Sequence, residues 1–183
     1  NYAHSMFSFP IQPARFYRIN RSIESGGGAL WDIGPYAIHT LRQCFKENPI
    51  RVKAIAKLNE HGADISTTGL IDFGNNKRAT FDISFECTRR SEFEAFGPLG
   101  RVKCPTVWQP DDKQAKIIIN TENSGLTEEV VPAANHFVLE INHFNKVISS
   151  DIVPKLSNED AFWNAKTLEC IQQSIEEDSW VNL

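Results

Sequence analysis

Between Arg51 and Val131 seven strand-like runs follow one another, and no helical pattern separates them. Such an order cannot alternate strands with crossover helices, so a parallel sheet of βαβ units is excluded. In Arg51 to Leu58, Val52, Ala54, Ala56 and Leu58 alternate against Lys53, Ile55 and Lys57. Thr67 to Phe73 leads through Gly74-Asn75-Asn76 into Arg78 to Glu86, turn formers between two runs that predict a hairpin. In the second run Phe81, Ile83 and Phe85 fall on one side and Asp82, Ser84 and Glu86 on the other. Glu92 to Phe96 and Arg101 to Cys104 flank a second turn at Gly97-Pro98-Leu99-Gly100, and Lys116 to Asn120 and Glu128 to Val131 bracket Asn123-Ser124-Gly125.

Helical patterns lie on either side of these strands. Leu30, Ile33, Leu41 and Cys44 recur at helical spacing within Ala29 to Phe45, where Pro35 marks a start or a bend. Phe137, Ile141, Phe144 and Ile148 share one side of Asn135 to Ser149. Asn158-Glu159-Asp160 caps a longer helix carrying Ala161, Ala165, Leu168, Ile171 and Ile175. Ahead of all this, residues 7–11 read as a short strand and Arg15 to Glu24 as polar and irregular. The expectation is an α+β fold over residues 1–183, with an open, mainly antiparallel sheet and helices packed on one face.

Such a sheet leaves its other face free. If that face carries Phe81, Ile83, Phe85 or their neighbours, it exposes an apolar patch, and the expected cover is a second copy of the chain. Periodicity does not say which side faces out.

Other functions are disfavoured by composition. A net charge of −4 gives no basic footprint for nucleic acid. The longest apolar runs, such as Ile117-Ile118-Ile119, are too short to span a bilayer, so no membrane partner is expected. The four cysteines contain no CxxC pair, which argues against structural zinc and for a reducing, cytoplasmic setting. His136 and His143 share a helix without a third ligand, and no metal site is expected.

One segment carries chemistry. After Gly26-Gly27-Gly28, a helix would place Asp32, Tyr36, His39 and Gln43 at i, i+4, i+7 and i+11, a polar stripe able to share protons. The glycines let backbone approach a ligand, and Gly27 and Gly28 are candidates to meet a cofactor. Periodicity alone equally describes the wet side of an amphipathic helix, a flexible turn at the glycines, and a capping role for Asp32.

The run from Asn20-Arg21 through the three glycines to Asp32-Ile33-Gly34-Pro35-Tyr36 resembles the signature of the Gfo/Idh/MocA oxidoreductases. The likeness continues through Glu92 to Val102, the two closing helices and the Trp180-Val181-Asn182-Leu183 ending. It implies the substrate-side, C-terminal half of a two-domain enzyme. An N-terminal Rossmann domain, absent from this chain, would bind NAD or NADP and supply a lysine. The start at Asn1, without an initiator methionine, fits a chain cut from something longer.

Tyr at position 36 resembles the branch with dihydrodiol dehydrogenase and glucose–fructose oxidoreductase. By that resemblance Tyr36 gives or takes the proton on the substrate oxygen and Asp32 orients or polarises it. Arg21 would hold substrate or the glycine loop. His39 has no matched role, and a substrate or relay contact and a half-buried, hydrogen-bonded histidine both stay open. The implied substrate is a small sugar, polyol or dihydrodiol. A phenol with a pKa near ~10 needs a cation to act as base near neutrality, so the chain alone is expected to be inactive. A non-catalytic relative that senses sugars or assembles subunits is the alternative.

Overall fold

The structure, a computed structural model, describes residues 1–108, 113–149 and 152–183. Its strands are β1 (Tyr2–Ser8), β2 (Arg51–Leu58), β3 (Asp64–Gly74), β4 (Lys77–Ser84), β5 (Arg90–Gly97), β6 (Gly100–Cys104), β7 (Ala115–Thr121), β8 (Gly125–Val131) and β9 (Val181–Asn182). Its helices are α1 (Ala29–Asp32), α2 (Gly34–Phe45), α3 (His136–Ile148) and α4 (Asn158–Glu177). All nine strands join one open sheet in the order β8-β7-β6-β5-β1-β4-β3-β2-β9. Every pairing is antiparallel except β1 with β4. The expected architecture therefore holds, with one parallel seam at its centre.

The first strand differs from its sequence reading: it is Tyr2–Ser8, not residues 7–11. Its inward residues are Ala3, Ser5 and Phe7, and its outward ones include Tyr2, His4 and Met6. Small or polar residues inside and large ones outside erase the usual alternation. The hairpin of β3 and β4 turns at Asn75 and Asn76, both with positive φ, as turn-forming asparagines tolerate.

Helices α1, α2 and α4 cover one face. Leu30, Ile38 and Leu41 meet Phe7, Ile71, Phe81, Ile83 and Phe85 from the strands and Leu168 and Ile171 from α4, all nearly or fully buried. Burial of each such side chain stabilises by roughly 1.5–3 kcal/mol. Ser157 caps α4, its hydroxyl accepting from the Asp160 amide at 3.1 Å. That cap stands one residue ahead of the Asn158-Glu159-Asp160 run.

The free face carries the neighbours of Phe81, Ile83 and Phe85 rather than those three residues. Because Phe81, Ile83 and Phe85 point inward, their neighbours Thr80, Asp82 and Ser84 belong to the opposite side. Cross-strand pairing brings Tyr2, His4, Met6, Glu92 and Glu94 to that side as well. Arg90 pairs with Asp82, Lys103 with Glu92 at 3.7 Å, and Glu94 with both Arg101 at 3.5 Å and His4 at 3.8 Å. The surface mixes these charge pairs with exposed apolar side chains, Ile55 at 65% and Leu70 at 36%, which the register sets opposite Thr68 and Thr80. Apolar exposure also lies on α3, where Phe137, Ile141, Phe144 and Ile148 share a side as expected, yet none is buried. Of the two closing helices only α4 packs on the core. No described helix is long and apolar enough to cross a membrane.

Candidate active site

The glycine run begins where a 3-10 turn over Ile23–Ser25 ends at Gly26. Its loop is tied down on two sides. The Gly28 amide donates to the Arg18 carbonyl at 2.8 Å, and the Ile23 amide to the Gly62 carbonyl at 2.9 Å. Asn59 adds a side-chain bond to the Ile19 carbonyl at 2.8 Å. Gly27 and Gly28 are buried. A Cβ on Gly27 would lie 2.0 Å from the Arg21 carbonyl oxygen, and one on Gly28, where φ is +96°, would lie 1.8 Å from Asp64 Oδ1. The chain itself therefore fills the space that these two glycines leave. The run follows a turn rather than a strand, so the described residues do not fit a dinucleotide cradle here.

Asp64 was not foreseen. Its Oδ2 accepts from the Leu30 amide at 2.8 Å and from the Thr67 hydroxyl at 2.7 Å. It thus caps α1 from β3, in the place where Gly28 offers no side chain. Its Oδ1 makes no full hydrogen bond, although the amides of Ala29 and of Asp64 itself lie close enough to favour the charged form. Burial outweighs these contacts and pushes the carboxyl up to about 6. No local spacing announces a cap that arrives from 34 residues away.

The helix that follows is broken. Pro35 has no amide to donate and its ring would strike the preceding turn, so α1 stops at Asp32 and α2 starts afresh at Gly34. The expected continuous stripe is accordingly divided among three sets of partners. Asp32 pairs with Arg18. It also stands just ahead of the N-terminus of α2, where a carboxylate is favoured. Arg21 is exposed and meets the loop through its backbone carbonyl and the base of its side chain at Gly27. Nothing in the irregular loop marked Arg18 as the partner of Asp32.

Tyr36 stands on α2 with its ring edge-on to Phe7, centroids 5.6 Å apart, and 6.5 Å from the Trp108 ring. Phe7 and Trp108 are themselves 4.9 Å apart. Trp108 is held from β5, since Ser91 Oγ bonds both its amide and its carbonyl at 2.7 Å. Nothing in the sequence linked Trp108 to the glycine segment, from which it is far removed in the chain. Tyr36 is 47% exposed, and among the described residues its hydroxyl makes no hydrogen bond. It lines an open cleft of about 570 Å³ with Trp31, Trp108, His39 and Asp160.

His39 faces α4. Its Nε2 lies 3.1 Å from Asp160 Oδ2 and 3.3 Å from Gln43 Nε2, while Gln43 donates to Asp160 Oδ1 at 2.9 Å. The His39 Nε2 is placed to donate to that carboxylate. Arg42, buried beneath, donates to the Asp160 carbonyl and to Asn48 Oδ1, both at 2.9 Å. Its burial lowers the guanidinium pKa against the pull of Asp160. These bonds tie α2 to α4. Among the described residues no three histidine, cysteine or acidic side chains gather as metal ligands. His143 instead accepts from the Lys155 amide at 3.3 Å.

Residues 2–103 match the GFO/IDH/MocA C-terminal domain. Over 108 residues the chain is 30% identical to trans-1,2-dihydrobenzene-1,2-diol dehydrogenase of Xenopus tropicalis, covering 57% of this chain and 32% of that protein. It is 24% identical over 164 residues to the D-xylose 1-dehydrogenase [NADP(+)] of Haloarcula marismortui, covering 87% and 45%. In fold it matches the aldose-aldose oxidoreductase of Caulobacter crescentus, solved with glycerol, at a TM-score of 0.83 and 19% identity, over 100% of this chain and 55% of that one. The chain spans at most about half the length of these curated relatives. The match over residues 2–103, more than half of the chain, places this protein in the GFO/IDH/MocA family as its C-terminal domain.

Proposed function

We propose that this chain is the substrate side of an NAD(P)-dependent oxidoreductase that interconverts a secondary hydroxyl and a carbonyl on a sugar, polyol or dihydrodiol. The observation that carries the reading is Tyr36: half-exposed, its hydroxyl unengaged, on the wall of a cleft with aromatic sides. A buried tyrosine whose hydroxyl was already bonded would read as packing. This one keeps its polar end free for a ligand. Relatives named for a dihydrodiol and a pentose support the substrate class.

The part of this chain is the proton. Tyr36 accepts the hydroxyl proton of the substrate as the carbonyl forms and returns it in the reverse direction. A phenol does this near neutrality only beside a cation, which residues outside this chain would provide. Trp108 and Trp31, both on the cleft wall, offer apolar faces against which a ring can lie. Asp32, held by Arg18, fixes the turn that leads into α2. The hydride carrier, a nicotinamide, would be held outside these residues, and the isolated chain would be inactive.

The test is Tyr36→Phe in the full-length protein. Turnover of the best sugar or diol should fall roughly 10²- to 10⁴-fold while thermal stability stays near that of the parent. Retained turnover would remove Tyr36 from its role and the reading with it.

A further inference from the structure

We propose that Asp64 is the positioning residue of this site, holding the turn after the glycines so that Asp32 and Tyr36 are presented together. The proposal rests on the reading of Tyr36 given above. Leu30, whose amide Asp64 holds, lies two residues before Asp32 and one residue before Trp31, which lines the Tyr36 cleft. Asp64 is itself fixed: it is fully buried, Thr67 donates to the same oxygen, and the Asn59 side chain caps the loop that leads into β3 through the Ala63 amide at 2.9 Å.

Gly28 completes the device, since any side chain there would enter the Asp64 carboxylate. α1 is only four residues long and has no N-cap side chain of its own, so local sequence does not set its direction. The break at Ile33 makes that direction matter. A rigid helix would carry Tyr36 from Asp32, whereas here the two belong to separate helices and must be aligned from outside.

Two variants of this chain, Asp64→Ala and Asp64→Asn, test the proposal by NMR. Asn retains an oxygen that can accept from both the Leu30 amide and the Thr67 hydroxyl, while Ala retains none. In Asp64→Ala the Leu30 amide should exchange at least about tenfold faster, and the ring resonances of Tyr36, set by the Phe7 ring, should shift, with β5 and β6 unchanged. Asp64→Asn should restore both. Unchanged Tyr36 resonances in a folded Asp64→Ala chain, or failure of Asn to restore them, would overturn the proposal. Should Asp64→Ala not fold, Thr67→Val loosens Asp64 alone, and the same shift in smaller measure is required of it. In the full-length protein Asp64→Ala should lower kcat roughly 10- to 100-fold with little change in KM. If Tyr36→Phe keeps its turnover the proposed function fails, but the resonances still decide the role of Asp64. If Tyr36→Phe is dead and Asp64→Ala is not, only the positioning role falls.

Discussion

On the covered face of the sheet, Phe7, Phe81, Ile83 and Phe85 lie sealed under α1, α2 and α4. One residue along, His4, Thr80 and Asp82 look out from the free face beside the nearly buried Glu94, and Arg90, Arg101 and Lys103 pair its acids. The contrast shows where the fold gets its stability and where it keeps room for chemistry. Close packing on one side supplies the large, non-directional term. Charge pairs on the other are individually weak and serve solubility and recognition more than stability. The site belongs to the first side: its turn is pinned by a carboxylate buried beneath the helices.

Three measurements bear on that contrast. Phe81→Ala strikes the covered face hardest, and urea unfolding should show a loss of about 3–5 kcal/mol. A loss near 1 kcal/mol would mean that the helices do not close over the strands as described. Asp64 comes next, through pH. Its carboxyl is raised from 3.8 to about 6 in the fold, so the folded state keeps a proton that the unfolded chain has given up. Stability should therefore fall as pH rises from about 4 to about 6 and level off above, by up to about 3 kcal/mol. Asp64→Asn should lose that slope from its own curve, so the difference between the two curves carries it, and parallel curves would contradict the burial. Asp82→Asn on the free face should cost less than about 1 kcal/mol, and less again in high salt.

Where local pattern decides structure, the sequence was readable. The β3–β4 hairpin shows in its Gly-Asn-Asn turn, α4 in its polar start and apolar repeat, and the break before α2 in Pro35. Structure made over a distance was not readable. Alternation separates Phe81 from Asp82 without saying which side the helices cover. β1 hides because Ala3 and Ser5 face inward. Asp64 and Trp108 reach the site from β3 and from the segment after β6, and no spacing joins either to the glycines. The pairing of Arg18 with Asp32 is likewise made only when the loop closes. The apolar side of α3 was legible as a pattern, and only the structure shows it bare.

β1 occupies an unusual place in the sheet. β4 and β5 follow each other in the chain across a short link but are not neighbours, because β1 lies between them, parallel to one and antiparallel to the other. The sheet is thus two meanders, β2–β4 and β5–β8, and one early segment is the keystone that fuses them. Each meander can zip up from nearby residues, but the keystone must close a loop of some seventy residues, an entropic cost met late in folding. Without those seven residues two raw sheet edges would lie open to any passing strand.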